Sequence, residues 1–142
     1  SFTGIRIGIT IAKIYAWSLN IPITTIYSLE AMAISSKNNT YHVPILNARR
    51  GYVYTAIYDE NYKEVLKPCH ILLTDLQEKL KDIKDIKEYE YISNDEFDDL
   101  DVNSYSPDMV KVVNYFKDKE NINPHAVNPE YLKLTEAEES KL

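Results

Sequence analysis

With 142 residues and a net charge of −6, the chain is long enough to bury a core of its own and too acidic to grip a phosphate backbone unaided. Its single cysteine, Cys69, excludes an internal disulfide and suits a reducing compartment. Its three glycines are too few for the phosphate-cradling loops of a nucleotide site, so no cofactor is expected.

The first twenty residues, SFTGIRIGITIAKIYAWSLN, read as one helix. Phe2, Ile5, Ile9, Ala12, Ala16 and Leu19 recur at intervals of three and four, which suits a face laid on a sheet. Ile7, Ile11 and Ile14 form a second apolar face, with Gly4, Gly8 and Tyr15 on a flat strip between. A helix that covers one side of a core needs only one apolar stripe. This one needs two coverings, and the sequence leaves open whether both come from its own domain or one from a partner. Each glycine costs about 1 kcal/mol relative to alanine inside a helix, and the four-residue spacing of Gly4 and Gly8 permits close backbone approach. Arg6 and Lys13 interrupt the apolar run, and nothing else is long enough to span a membrane. With no signal peptide evident, a cytoplasmic protein is expected. Ser1 has no strand ahead of it, which reads as a cut inside a larger protein.

Asn20 closes the helix, and IPITTIY reads as a short strand. Ser28 is placed to cap a second helix, LEAMAISS. Helix, strand, helix implies a parallel sheet with its other strands elsewhere. Lys37-Asn38-Asn39 is the expected boundary between a first segment, 1–39, and a second, 40–142. VPILNA, YVYTAIY and YKEVL then read as a three-stranded antiparallel meander, with Arg49-Arg50-Gly51 and Asp59-Glu60-Asn61 as its turns. Thr74-Asp75-Leu76-Gln77 has capping-box spacing and opens a helix burying Leu76, Leu80 and Ile83. EYEYIS is another strand, and NDEFDDLDVNS a solvated acidic loop. Ser106-Pro107-Asp108 starts a last helix, with Pro107 first and Met109, Val112, Val113 and Phe116 as its buried stripe. NPEYLKLT is expected to be extended, and EAEESKL a solvated tail.

Chemistry is thinly represented. His42, His70 and His125 lack the spacing of a metal site, so no metal is expected. Cys69 and His70 are adjacent in an extended segment, where neighbours point to opposite faces, which works against a catalytic pair. No nucleophile elbow or phosphate loop is present. The most notable polar feature is the pair Arg49 and Arg50 at a hairpin tip. It is open to two readings: a solubilising turn, or a contact for an anion or a partner's carboxylate.

SFTGIRIGITIAKIYAWSLNIPITTIYSLEAMA closely resembles the signature of the TsaB (YeaZ) family, which reads GPGSFTGLRIG and continues through an IP strand into a SLEALA helix. NARRGYVYTAIY is similar to that family's DARRGEVY motif, and PEYLKLTEAE to its PxYLRxxEA ending. The resemblance implies the carboxy-terminal part of an actin-like, ribonuclease-H-like α/β fold. It implies a non-catalytic scaffold in the synthesis of N6-threonylcarbamoyladenosine in tRNA. The implied partners are a TsaD-like catalytic subunit and a TsaE-like ATPase, with tRNA reached only through the complex. Gly4, Ile7, Gly8, Ile11 and Tyr15 become the expected partner-facing side, whether toward that subunit or a second copy. A glycoprotease-like hydrolase and an ATP-binding module are the alternatives. Asn47 stands where the family has Asp, and Tyr52 where it has Glu.

Overall fold

The structure, a computed structural model, describes residues 2–84 and 86–133. Two compact units are present. One is built from residues up to 26 and from 116–131; the other runs through 27–115 and takes up the chain again from 132.

In the first unit, helix α1 (Phe2–Leu19) ends in a Schellman motif. Asn20 takes a left-handed φ of 50°, its N–H donates to the Trp17 carbonyl, and the Ile21 N–H donates to the Ala16 carbonyl at 3.0 Å. Asparagine tolerates that conformation, so the sequence places the stop correctly. The strand expected over IPITTIY shrinks to one antiparallel bridge, Ile23 with Ile122. An extended segment becomes a strand only where a neighbour takes its backbone groups, and the described residues supply one bridge. A 3₁₀ turn, Pro124–Ala126, packs on α1. Lys13 ties it down, its Nζ donating to the carbonyls of His125 at 3.3 Å and Val127 at 2.9 Å.

The second unit is a five-stranded sheet in the order β3-β2-β1-β4-β5. β1 (Tyr41–Asn47), β2 (Tyr52–Tyr58) and β3 (Glu64–Leu72) form the expected antiparallel meander. β3 runs longer than expected, with Pro68 beside a register shift on the sheet edge, where a missing N–H is tolerated. The alternation in β2 divides the core. Val53 and Ile57 join Val43, Ile45 and Tyr91 under α3 (Leu73–Asp82), which contributes Leu76 and Leu80. Ala56 and Tyr58 join Ile92 under α2 (Ser28–Ile34), which contributes Leu29, Met32 and Ala33. β4 (Tyr89–Ile92) runs parallel to β1, and β5 (Val102–Asn103) parallel to β4. β5 lies inside the segment expected to be only an acidic loop. Two residues, one of them polar, carry too little pattern to announce a strand.

Helix starts shift by one or two residues. Tyr27, not Ser28, is the N-cap of α2, and no side chain caps it. The capping box at Thr74 does not form, because α3 already begins at Leu73 with Leu72 as its cap. α4 (Met109–Phe116) begins after Asp108, whose carboxylate accepts the Lys111 N–H at 2.9 Å; Pro107 lies outside the helix. Its buried residues are Val112 and Phe116, while Met109 and Val113 are exposed. The first part of NPEYLKLT has no regular structure, and its end and EAEESKL lie outside the described residues.

Candidate functional site

Among the described side chains of α1, only Ala16 is buried and only Ile9 and Lys13 are half-buried. At 100° per residue, Ile7, Ile11 and Ile14 lie opposite those three, with Tyr15 beside them. Ile7 is 55% exposed, Ile11 51% and Tyr15 61%. Gly4 and Gly8 are exposed too, and a Cβ built on Gly8 meets nothing within 4 Å. The five residues expected to face a partner therefore share one open side. The stripe expected to lie on a sheet is not covered by one: Ile5, Ala12 and Leu19 are exposed among the described residues.

The β1–β2 turn is unusual in its backbone. Arg49, Arg50 and Gly51 have φ of 66°, 54° and 77° in succession. Glycine adopts that conformation freely, but each arginine costs about 1 kcal/mol there. The turn is held from several sides. The Arg49 N–H donates to Asn47 Oδ1 at 2.8 Å, and the Asn47 N–H donates to Asp95 Oδ2 at 2.7 Å. The Leu73 N–H donates to the Gly51 carbonyl at 2.9 Å. Both arginines are exposed, and neither guanidinium is paired among the described residues.

The nucleophile and histidine candidates do not converge. His42 lies opposite Tyr58 and His70 opposite Tyr54, four residues apart along β2, or about 13 Å. The His70 ring stacks on Tyr52 at 4.8 Å and leans on Tyr54 at 5.0 Å. Burial pushes the Cys69 thiol above its ordinary pKa despite Lys79 nearby, which leaves it a poor nucleophile. His125 meets the edge of Trp17 at 6.3 Å. Among the described residues, no three His, Cys, Asp or Glu side chains are placed to share a metal ion.

Sequence reasoning missed the densest polar cluster. Glu90, on β4, is 7% exposed. Its Oε1 accepts from His42 Nδ1 at 2.8 Å and from Ser36 Oγ; its Oε2 accepts from Asn38 Nδ2 at 2.5 Å and Asn103 Nδ2 at 2.8 Å. Burial alone would raise the pKa of this carboxyl. The bonds from Ser36, His42, Asn103 and Asn38 outweigh it and hold the group below its ordinary value. Beside it, Lys111 Nζ donates to the Ser36 carbonyl at 2.7 Å and to Tyr62 Oη at 2.6 Å, and the Tyr62 ring stacks on His42 at 5.2 Å. The one available signal was a glutamate at an inward position of an otherwise apolar strand, since such a charge needs partners.

A family profile described as "TsaD: tRNA N6-adenosine threonylcarbamoyltransferase" matches residues 1–138. The tRNA threonylcarbamoyladenosine biosynthesis protein TsaB of Bacillus subtilis (strain 168) is 33% identical, over 97% of this chain and 67% of its own length. The chain belongs to the TsaB family. A crystal structure of a Pseudomonas aeruginosa protein with similarity to peptidase YeaZ matches with a TM-score of 0.65 at 14% identity, covering 94% of this chain and 69% of that one. YeaZ from Pseudomonas aeruginosa matches with a TM-score of 0.59 at 16% identity, covering 93% and 68%. These likenesses show the actin-like, ribonuclease-H-like α/β fold. The chain spans about two thirds of the length of these TsaB and YeaZ relatives.

The TsaB-like motifs occupy the positions just described. FTGIRIG begins α1, and NARRGYVY is the β1–β2 turn with its flanks. Where the family carries Asp, Asn47 supplies the oxygen that accepts the Arg49 N–H, a task either side chain performs. Tyr52, in the place of Glu, presents a ring to His70. PEYLKLTEAE is described only as far as Lys133.

Proposed function

We propose that this chain is a non-catalytic scaffold in the synthesis of N6-threonylcarbamoyladenosine in tRNA, serving a TsaD-like catalytic subunit. The TsaB name of the Bacillus relative supports the pathway, and the threonylcarbamoyltransferase profile supports the partner class. In this reading a TsaE-like ATPase joins the pair, tRNA is met only through the complex, and the protein works in the cytoplasm. In this reading the sequence division into 1–39 and 40–142 is one of motif, while α2 packs on β1 and β2 within the second compact unit.

The observation that carries the reading is Gly8. A glycine inside a helix costs about 1 kcal/mol. Among the described residues that cost has no return, because nothing lies within 4 Å of a Cβ built on Gly8. A second helix approaching along Gly4, Ile7, Gly8, Ile11 and Tyr15 would use the missing Cβ and cover the exposed isoleucines. That helix belongs to the catalytic subunit, or to a second copy when the protein is alone.

Light scattering of the protein, alone and with its cognate TsaD-like subunit, tests this. A heteromeric species lost on Gly8→Leu, with circular dichroism unchanged, is the expected result. A monomer in both samples, or pairing indifferent to Gly8→Leu, would overturn the assignment.

A further inference from the structure

The Arg49–Arg50 turn carries an inference that rests on the scaffold reading and deepens it. Three arginines stand against thirteen lysines in this chain, and two of the three are adjacent at this tip. A turn needing only positive charge for solubility would be served by lysine, this chain's usual cation. A guanidinium differs in offering a planar fork that grips a carboxylate through two parallel hydrogen bonds. The third arginine, Arg6, already donates from Nε to Tyr131 Oη at 2.8 Å. Arg49 and Arg50 are exposed, and neither guanidinium is paired among the described residues.

The backbone points the same way. Left-handed φ at two successive arginines persists only where the surroundings enforce it, and here Asn47, Asp95 and Leu73 do so. The result is a rigid tip on which the two side chains start from fixed positions. Pre-organisation of this kind lowers the entropy lost when a partner is engaged.

The surroundings choose between anion classes. Asp95 is hydrogen-bonded to the base of the turn, and Glu96, Asp98, Asp99 and Asp101 follow it in sequence. A nucleic-acid backbone needs several cations in a row, and this turn supplies two, with the Asp95 carboxylate at its base. A few acidic side chains on a protein surface need only the two forks. We propose that the Arg49–Arg50 turn is a docking point for carboxylates on the surface of the catalytic subunit, separate in sequence and in chemistry from the apolar side of α1.

The test is the dissociation constant of the full chain for the purified cognate TsaD-like subunit, by calorimetry at about 50 mM and about 300 mM salt. Arg49→Ala/Arg50→Ala is expected to weaken binding about tenfold or more and to flatten its salt dependence. Arg49→Lys/Arg50→Lys keeps the charge and is expected to recover only a minor part. Arg50→Gly keeps the turn relaxed and separates lost contact from misfolding, and all variants should melt cooperatively. Equal affinity of the double-alanine variant and the wild type overturns the proposal and leaves the scaffold reading standing. Unchanged affinity with reduced tRNA retention by the assembled complex overturns it in favour of an RNA contact. A wild-type chain that does not bind the subunit overturns both.

Discussion

His42 Nδ1 lies 2.8 Å from Glu90 Oε1, and the imidazole is completely buried. That contact is one of four side-chain bonds converging on a single carboxylate, from Ser36, Asn38, His42 and Asn103. The donors come from the segment after α2, from β1 and from β5, so Glu90 ties three stretches of chain to β4. Glu90→Gln keeps the shape but turns an acceptor oxygen into a donor that faces donors. The expected loss of stability is about 3 kcal/mol, the scale for disrupting a buried charged hydrogen-bond network. Urea denaturation should show a lower midpoint with the same slope. A change under about 0.5 kcal/mol would mean that the cluster holds nothing together.

The same carboxylate should make the second unit acid-sensitive. Its folded pKa lies below its unfolded one. A depressed carboxylate contributes stability that is fully present above the unfolded value and is lost as pH falls through the folded one. Stability should therefore hold from neutral pH down to the ordinary glutamate range and decline below it. Urea midpoints measured at successive pH values check this against Glu90→Gln. The variant should show a shallower decline; an identical slope would place the acid-sensitive group elsewhere.

The sheet was more legible than the site. YVYTAIY alternates so regularly that both halves of the core follow from it: Val53, Thr55 and Ile57 on one face, Ala56 and Tyr58 on the other, all buried. Turn residues were equally informative, as Asn20 and Gly51 adopt the positive φ that their positions need. Helix starts were less so, because Ser28 and Thr74 have capping chemistry but the caps fall one residue earlier, at Tyr27, and two residues earlier, at Leu72. Met109 and Val113 fit an apolar stripe with Val112 and Phe116, yet periodicity cannot say which of two apolar faces is covered. The Glu90 cluster joins residues up to 67 positions apart, from Ser36 to Asn103, and no local pattern reports that. Two apolar faces and two glycines on α1 break the one-stripe rule, which is why the sequence called for a second covering there.

Gly8 separates stability from assembly. Gly8→Ala adds a methyl group into open space and removes the conformational cost of glycine. Alone, the variant is expected to gain about 1 kcal/mol of helix stability. Against a close-packed helix, the same methyl group pushes the two backbones apart and should weaken pairing. Thermal melting and light scattering on one sample would read both effects. A gain in stability with no loss of pairing would place the partner on another side of α1.

Arg50→Gly makes the parallel trade at the β1–β2 turn. Arg50 has φ of 54°, and glycine adopts that conformation without the clash between Cβ and carbonyl. Removing the strain should stabilise the second unit by about 1 kcal/mol, reduced by the greater freedom of glycine in the unfolded chain. The opposite substitution, Gly51→Ala, forces a Cβ onto a φ of 77° and should cost about the same amount, although only Leu72 Cδ2, at 4.0 Å, comes near it. Melting temperatures of the two variants should therefore fall on opposite sides of the wild type. If the turn were merely solvated, Arg50→Gly would be an improvement without penalty. If it grips a partner's carboxylates, the more stable protein binds the catalytic subunit more weakly, and the strain at Arg50 is the cost of holding that guanidinium in place.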